Sequence, residues 1–404
     1  MTKWAVAFII AGLAVYRVAG QTQVGWLYLF DAIIWSLLAL SAILPGYALK
    51  SLKVEQQVLL TSAGFHELSL NGPLEDESIE IRLRVTNPGR FTRYFIKLAV
   101  ECPFERSDAR RKNYLLVSLK RGVTTFSYIA ACHRRGYYDS SEVILESGGP
   151  LGLFVRRREL QLPLNLTVYP HYHPMANLPV AGEDWMEWGQ GVKANSASEF
   201  YGSRNYQYGD PLKHVHWRNT ARTGQFMIKE FEQAGQGSLT VAFDTSRDFG
   251  MDRETTLEYS IKIAASLAKL CADSGLRLDI IAGQDILHNT DWQTAMDFMA
   301  RLKVADSAAP SDFSEISSDG QTVVIILPAV VTPQTSPLLR LAGRGRGAAV
   351  LLEGFASEEA QNDVTSVLRG TNLEIIPCAQ GNLEVIIGKL GRLLSVNGGV
   401  SNAV

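Results

Sequence analysis

Residue types that commonly build metal centres or nucleophilic sites are scarce in this chain of 404 residues. It has four cysteines and seven histidines, and no two cysteines lie at the C-x-x-C spacing of metal or redox sites. The sequence also lacks a His-Glu-x-x-His motif, a glycine-rich phosphate loop and a Gly-x-Ser-x-Gly turn. These absences argue against a zinc protease, a P-loop NTPase and an α/β-hydrolase.

The cysteines themselves, Cys102, Cys132, Cys271 and Cys378, lie far apart along the chain. We expect them to be reduced, mostly buried thiols. A Cys102–Cys132 disulfide inside one β domain is the alternative if that domain is exported.

A strong charge of one sign is also missing. The 39 lysines and arginines nearly balance the 41 aspartates and glutamates, for a formal net charge of −2. A chain of this kind has no overall field that would attract nucleic acid, so no nucleic-acid partner is expected. Its length is too great for one hydrophobic core, which predicts two or three domains.

Two long apolar runs lie within residues 1–50. The run over residues 24–44 would extend roughly 30 Å as a helix, enough to cross a bilayer, and the run over residues 4–19 about 24 Å. The first run has no small-x-small cleavage site and the second follows at once, which argues against a signal peptide. The sequence therefore predicts a transmembrane hairpin, with a buried soluble hairpin as the alternative.

Charged residues around the hairpin indicate its orientation. Lys3, Lys50 and Lys53 flank the pair of runs, whereas Arg17 lies towards the connecting loop, so both ends are predicted to be cytoplasmic. Asp31 is the one ionisable residue of the second run. We expect it to stay hydrated near the membrane interface, and a functional intramembrane acid is the alternative.

Residues 53–170 change to short alternating runs separated by Asn, Gly and Pro turns. Seven or eight strands over ~115 residues predict a β-sandwich of immunoglobulin-like layout. Basic clusters at 110–112 and 156–158 are either solvated loop charges or contacts with anionic lipid headgroups. Residues 171–197 are polar and aperiodic, which predicts a linker, and His171 and His173 lack a third nearby metal ligand.

Residues 198–232 combine charge, aromatic rings and turn residues at high density. The stretch 208–211 is a Tyr-Gly-Asp-Pro turn that fixes the direction of Asp210. Val215 and Trp217 then alternate with polar neighbours, a period of two that favours a short strand with the Trp217 ring facing the core. Arg222 is a suitable bidentate partner for Asp210.

The spacing of this segment, E-F-x3-R-x-Y-x2-G-D-x5-H-W-x3-A-R, closely resembles the signature of the bacterial domain of unknown function 58 family. The similarity extends upstream to Arg135-Gly136-Tyr137, to 149–154 and to 168–170, although Gly149 and Leu151 replace the usual Asp and Phe. We take the following as the signature and interaction residues: Glu199, Arg204, Tyr206, Gly209, Asp210, His214, His216, Trp217, Arg218 and Arg222.

Two roles for these residues are open. They either form a buried polar network or present a docking face. If Asp210 and Arg222 pair in the interior, removing either one should cost roughly 3–5 kcal/mol of stability. An enzymatic alternative is a triad of Asp210 and His216 with the hydroxyl of Thr220 or Tyr206.

Residues 238–404 alternate apolar strands with amphipathic helices, which predicts a doubly wound, mostly parallel sheet. An early hairpin around 283–284 should add an antiparallel edge strand. Helix starts are expected at Thr290, through a capping box with Gln293, and at Ser336, Ser357 and Asn382. This arrangement resembles the von Willebrand factor A-like fold, which the family resemblance implies at the C-terminal end.

The A-like resemblance implies a candidate metal site of the form D-x-S-x-S. Asp244 and Ser246 match this form, but Asp248 stands in place of the second serine. The loop after the strand 322–327 contains no aspartate, so the ligand set is incomplete. We therefore expect no bound cofactor and take capping of a turn by Asp244 and Ser246 as the main interpretation. A Mg²⁺ or Ca²⁺ site is the alternative.

Taken together, the fold class is multi-domain, with a transmembrane hairpin, a sandwich at 53–170 and an A-like domain at 238–404. The leading hypothesis is a non-enzymatic scaffold or adaptor anchored in the bacterial inner membrane. The resemblance implies a MoxR-type AAA+ ATPase as its partner in membrane or envelope assembly. A hydrolase built on the signature and a cation-dependent adhesion module are the alternatives.

Overall fold

The chain divides into two compact units, Met1–Pro170 and His171–Val404. The computed structural model describes residues 2–59, 70–149, 151–175, 200–205, 217–231, 238–305, 322–342, 346–355, 364, 368 and 373–396. Residues 60–69 of the predicted sandwich and the predicted helix start at Ser357 lie outside this set.

The first unit begins with two antiparallel helices, α1 (Lys3–Thr22) and α2 (Gly25–Leu49), which are longer than the runs that predicted them. Both are long and apolar enough to cross a membrane. Gly12 allows close approach, because a Cβ there would lie 3.3 Å from Ile34 Cγ2. Most of the large apolar side chains of the pair face outward, as Trp4 and Ile43 do.

Asp31 differs from the expectation that it stays hydrated. Its side chain is buried within the hairpin, at 8% exposure, and Oδ1 accepts no hydrogen bond from the described residues. The reason is its position in α2, where Asp31, Leu38 and Pro45 recur every seven residues and are all buried. Residues at this spacing lie on one helix face.

Among the described residues of the first unit, seven strands follow and form two antiparallel sheets. One has the order β1-β2-β5 and the other β4-β3-β6-β7. The strands are β1 (Lys53–Leu59), β2 (Ser78–Asn87), β3 (Arg93–Glu101), β4 (Arg111–Leu119), β5 (Gly122–Ala131), β6 (Gly136–Ser147) and β7 (Arg156–Val168).

The two sheets share one apolar core. It contains Ile81 and Leu83 from one sheet and Leu98, Leu145 and Leu166 from the other. The alternation seen in the sequence is reproduced in β2, where buried residues occur at every second position. Strands β6 and β7 are long, at 12 and 13 residues, because backbone pairing continues past their apolar residues.

The cysteines of this unit are free thiols. Cys102 and Cys132 are both buried, and the Cys102 thiol lies 3.5 Å from the Tyr128 hydroxyl. Burial raises the pKa of Cys102 to about 11 and that of Cys132 to about 12. Neither thiol is therefore ionised near neutral pH.

The second unit contains a six-stranded sheet with strand order β14-β13-β10-β15-β16-β17. All neighbours are parallel except β14, an antiparallel edge strand, as the hairpin pattern predicted. The strands are β10 (Ser238–Phe243), β13 (Arg277–Ala282), β14 (Asp285–Leu287), β15 (Thr322–Pro328), β16 (Arg346–Glu353) and β17 (Leu373–Ala379). A short two-stranded ribbon, β11 (Gly250–Met251) with β12 (Glu254–Thr255), follows β10. A separate pair, β8 (Phe200–Asn205) with β9 (Met227–Phe231), precedes it.

The helices of the second unit are α3 (Trp217–Thr223), α4 (Thr256–Ser274), α5 (Trp292–Arg301), α6 (Thr335–Ala342) and α7 (Leu383–Val396). Gly275 ends α4 in the left-handed conformation, and Thr255 caps its start. The predicted capping box of Thr290 and Gln293 is not formed. Asp291 caps α5 instead and accepts from the Thr294 N–H at 2.7 Å, because its carboxylate is nearer to the first turn.

Gly347 in β16 provides a test of the central sheet. A Cβ there would lie 1.7 Å from the Val323 carbonyl oxygen, whereas a Cβ on Gly388 in α7 would meet nothing within 4 Å. Gly347→Ala should therefore lower the free energy of unfolding by about 3 kcal/mol or more, because backbone must move. Gly388→Ala should be neutral or add up to about 1 kcal/mol through helix propensity.

Denaturant unfolding of the detergent-solubilised full chain would measure both variants. Equal stability of Gly347→Ala and the parent would contradict the β15–β16 register.

Candidate functional site

The signature segment is described in three pieces, β8, α3 and β9. Strands β8 and β9 pair antiparallel, with Arg204 opposite Ile228 in the register. Helix α3 lies between them in the chain and is joined to β9 by a hydrogen bond from the Met227 N–H to Thr220 Oγ1 at 3.0 Å. Six signature residues lie outside the described residues: Glu199, Tyr206, Gly209, Asp210, His214 and His216.

Trp217 is placed differently from the sequence expectation. It starts α3 rather than continuing a strand, and its side chain is 66% exposed instead of facing the core. Its ring meets the ring of Phe226, itself 53% exposed, edge to face with centroids 6.4 Å apart. The alternation over 214–218 misled because four or five residues cannot distinguish a strand from the first turn of a helix.

Two exposed arginines lie on the same short helix. Arg218 and Arg222 are four residues apart, so they occupy one helix face, and both are solvent-exposed. An exposed Arg222 does not fit the expected interior pair with Asp210. The cost of roughly 3–5 kcal/mol expected for losing a buried partner therefore does not apply to Arg222.

The first central strand, β10, leads into a buried polar cluster. Asp244 is 4% exposed, and its Oδ1 accepts from both the N–H and the hydroxyl of Ser246, each at 2.7 Å. Its Oδ2 accepts from the Thr332 hydroxyl. Thr332 follows β15, the neighbouring strand, so the carboxyl ends of two parallel strands meet here, where such sheets collect their ligands.

The same edge is extended by Gln334 and Thr335. Gln334 Oε1 accepts from the Thr245 N–H at 3.0 Å, and Thr335 Oγ1 accepts from the Thr332 N–H at 2.9 Å. The sequence did not single out these residues, because the A-like resemblance directs attention to an aspartate after β15. The three polar residues at 332, 334 and 335, shortly after a largely apolar strand, were the available signal.

Asp248 turns away from this cluster. Its Oδ1 accepts from the Leu257 N–H at 3.0 Å and from the Thr256 hydroxyl at 3.3 Å, at the start of α4. A carboxylate at a helix start is favoured by the free N–H groups and the helix dipole. The three candidate metal residues therefore do not converge, because only Asp244 and Ser246 lie together.

A metal at this edge would have to use Asp244, Ser246 and Thr332. Binding would require the hydroxyls of Ser246 and Thr332 to give up their hydrogen bonds to the carboxylate. Among the described residues, no group of three or more His, Cys, Asp and Glu side chains could hold a metal ion. The geometry thus favours a closed hydrogen-bonded cluster in which Asp244 organises two loops.

The start of the predicted linker packs inside the second unit. The His173 N–H donates to Ser266 Oγ in α4 at 3.0 Å, and Met175 is buried beside Gly391 in α7. His173 Nδ1 lies 3.9 Å from Glu384 Oε1. Burial lowers the pKa of His173 below its ordinary value, and the neighbouring His171 adds to this effect.

We predict that Thr332→Val will destabilise the second unit by about 1–3 kcal/mol, because a buried carboxylate loses a donor of its cluster. Thr290→Val is the control, since the Thr290 hydroxyl makes a solvent-exposed hydrogen bond, to the Asp291 carbonyl at 3.4 Å. Adding roughly 1 mM Mg²⁺ should move the melting temperature of the parent by less than about 1 °C. A larger shift that disappears in Asp244→Ala would establish a metal site instead.

The His173 environment generates a pH prediction. Its lowered pKa means that the unfolded chain takes up a proton, near the ordinary pKa of 6.5, before the folded chain does. Stability should therefore be full above that pH and fall as the pH drops through the lowered folded pKa. His173→Gln should reduce the loss of melting temperature on acidification. Identical pH profiles for His173→Gln and the parent would contradict this assignment.

The comparisons with known proteins concern part of the chain. Residues 202–314 match the family model described as "Protein of unknown function DUF58". The "Uncharacterized protein YeaD" of Bacillus subtilis (strain 168) is 29% identical over 174 residues, covering 42% of this chain and 43% of that protein. The match thus spans less than half of that relative.

Solved structures are similar only weakly. A CARDB domain from Pyrococcus furiosus has a TM-score of 0.17 and 15% identity, covering 28% of this chain and 94% of that one. The alkylpurine DNA glycosylase AlkC of Pseudomonas fluorescens has a TM-score of 0.15 and 14% identity, covering 33% and 38%. These scores are too low to carry an argument. The relation that stands is therefore the DUF58 family match over residues 202–314 and a distant YeaD homologue.

Proposed function

We propose that this chain is a membrane-anchored, non-enzymatic adaptor whose signature segment docks a MoxR-type AAA+ ATPase at the bacterial inner membrane. The observation that carries the proposal is the surface formed by Trp217, Arg218, Arg222 and Phe226, hereafter the α3 surface. It exposes two aromatic rings and two arginines on α3 and the three residues that follow it. Tryptophan and arginine are favoured anchors of protein interfaces.

The anchor in this proposal is the α1–α2 hairpin. Its two helices have the length and composition of membrane spans, and Lys3, Lys50 and Lys53 favour a cytoplasmic position for both ends. Aromatic residues Trp4 and Tyr47 lie near that end of the hairpin and are exposed, as in the aromatic belts of membrane proteins. A cytoplasmic second unit would be accessible to a cytosolic ATPase.

The second unit is proposed to be an A-like domain. Its strand order, with the antiparallel strand third in sequence at one edge, and Asp244 after the first strand support this assignment. The closed cluster around Asp244 supports a scaffold in preference to a cation-dependent adhesion module, because the carboxylate is already engaged by Ser246 and Thr332.

We expect Trp217→Ala to reduce capture of the MoxR-type ATPase about tenfold or more, because anchor residues of this type contribute about 2 kcal/mol or more to binding. Stability should change by less than about 1 kcal/mol, because the side chain is exposed. The measurement is co-purification of the ATPase with the detergent-solubilised full chain, paired with thermal melting.

Met251→Ala is the matched control, an apolar residue that is 84% exposed in the second unit away from the signature. It should leave capture unchanged. Equal capture by Trp217→Ala and the parent would refute docking through the α3 surface, and loss of a hydrolytic activity in its place would favour an enzyme.

A further inference from the structure

The described residues of the loop between β6 and β7, 148–149 and 151–155, pack against the hairpin rather than projecting into solvent. Leu153 is 3% exposed and forms a small apolar cluster with Ala5 and Leu38. The Thr2 N–H donates to the Leu153 carbonyl at 3.1 Å, and the Thr2 hydroxyl donates to the same oxygen at 2.9 Å. The loop therefore lies beside the first turn of α1.

A second contact fixes the other half of the loop. Gly149 has a φ of +62°, and a Cβ there would lie 3.5 Å from Pro45 Cγ. The described part of the loop after it, Leu151-Gly152-Leu153-Phe154-Val155, contains no polar or charged side chain. Leu151 is 45% exposed and Val155 is 37% exposed.

The length of α1 sets the depth of these contacts. Its 20 residues extend about 30 Å, which equals the thickness of a bilayer core, so a spanning α1 must use its whole length. Ala5 lies only two residues from the start of α1, yet it is already inside that length. A loop that packs on Ala5 and Leu38 must then lie at the membrane boundary, within the interfacial layer.

Cationic side chains lie at the end of α2, the same helix that contributes Pro45 beside Gly149. Arg158 Nη1 donates to the Leu52 carbonyl at 2.9 Å, near the end of α2. The Arg93 guanidinium lies 3.9 Å from the centroid of the Tyr47 ring and donates to the Tyr47 carbonyl. Exposed Arg90 and Arg156 are each within three residues of these anchored arginines. Apolar side chains with adjacent arginines complement an anionic lipid surface.

We infer that the 148–155 loop is a lipid-inserting wedge, with Leu151 and Val155 entering the interfacial layer of the bilayer and Arg90 and Arg156 facing anionic headgroups. This inference rests on the membrane insertion of α1 and α2 in the proposed function. The wedge stays at interfacial depth, because irregular backbone in the hydrocarbon core would need partners. Here the Gly152 N–H donates to the Gly148 carbonyl at 3.2 Å and Leu153 accepts from Thr2.

The experiment is site-specific fluorescence on the full chain reconstituted in vesicles of phosphatidylcholine, with and without phosphatidylglycerol. The four native cysteines are buried, and burial raises the pKa of Cys271 and Cys378 to about 12, so an introduced cysteine labels selectively. An environment-sensitive dye is attached at Leu151→Cys, with Val155→Cys as a second reporter if the first variant fails to fold.

Two further positions serve as references. Ile33→Cys, at a 53% exposed position within α2, reports on the membrane span itself. Ile129→Cys, at a 69% exposed position, is the aqueous reference. Ile129 pairs with Glu80, whereas Gly122, at the start of β5, pairs with Asn87. Seven residues of strand separate Ile129 from Gly122, a distance of about 23 Å.

The wedge predicts blue-shifted emission and quenching by spin-labelled lipid at Leu151→Cys, closer to the Ile33→Cys values than to the Ile129→Cys values. Phosphatidylglycerol should increase the quenching at Leu151→Cys, and adding Arg156→Ala should remove that increase.

If Ile33→Cys is quenched and Leu151→Cys is not, the wedge is overturned while the membrane anchor stands, and the loop is left for a protein partner. If Ile33→Cys is not quenched, the membrane anchor of the proposed function fails. An unchanged signal with phosphatidylglycerol overturns the anionic preference.

Discussion

The carbonyl groups at the end of α2 need hydrogen-bond donors, and the first unit is arranged around meeting that need. A helix end leaves up to four carbonyls without intrahelical partners. Here Arg158 of β7 donates to Leu49 and Leu52, and Arg93 of β3 donates to Tyr47. Cations are also favoured at a helix C-terminus by the dipole. The hairpin and the four-stranded sheet therefore cannot separate without breaking these hydrogen bonds.

The same requirement explains the closed edge of the parallel sheet in the second unit. Asp244, Ser246 and Thr332 are all buried where two strands end, and water cannot supply their hydrogen bonds. A buried polar group without partners is costly, so Asp244 accepts hydrogen bonds from both Ser246 and Thr332. This arrangement also affects function. The Asp244 carboxylate already accepts three hydrogen bonds, and a cation would have to displace some of them to bind.

Sequence periodicity predicted the elements that bury apolar faces, because burial leaves a repeated pattern. The alternation expected of the strands over 53–170 appears in β2. The apolar strand followed by a helix expected over 238–404 appears as β10 and α4. A helix of only seven residues leaves no such pattern, which is why the alternation over 214–218 predicted a strand where α3 begins. Contacts between distant residues, such as Thr332 with Asp244, depend on strand order, which periodicity does not encode.

The charge pattern of α3 has a consequence for the proposed partner. Arg218 and Arg222 lie one turn apart, and like charges at this spacing destabilise a helix by about 0.2–0.5 kcal/mol. The helix has only seven residues, so it has little propensity of its own to offset that repulsion. Carboxylates on a docked surface would remove the repulsion and stabilise the helix at the same time. The surface of the ATPase that receives α3 should therefore be acidic around an apolar recess for Trp217.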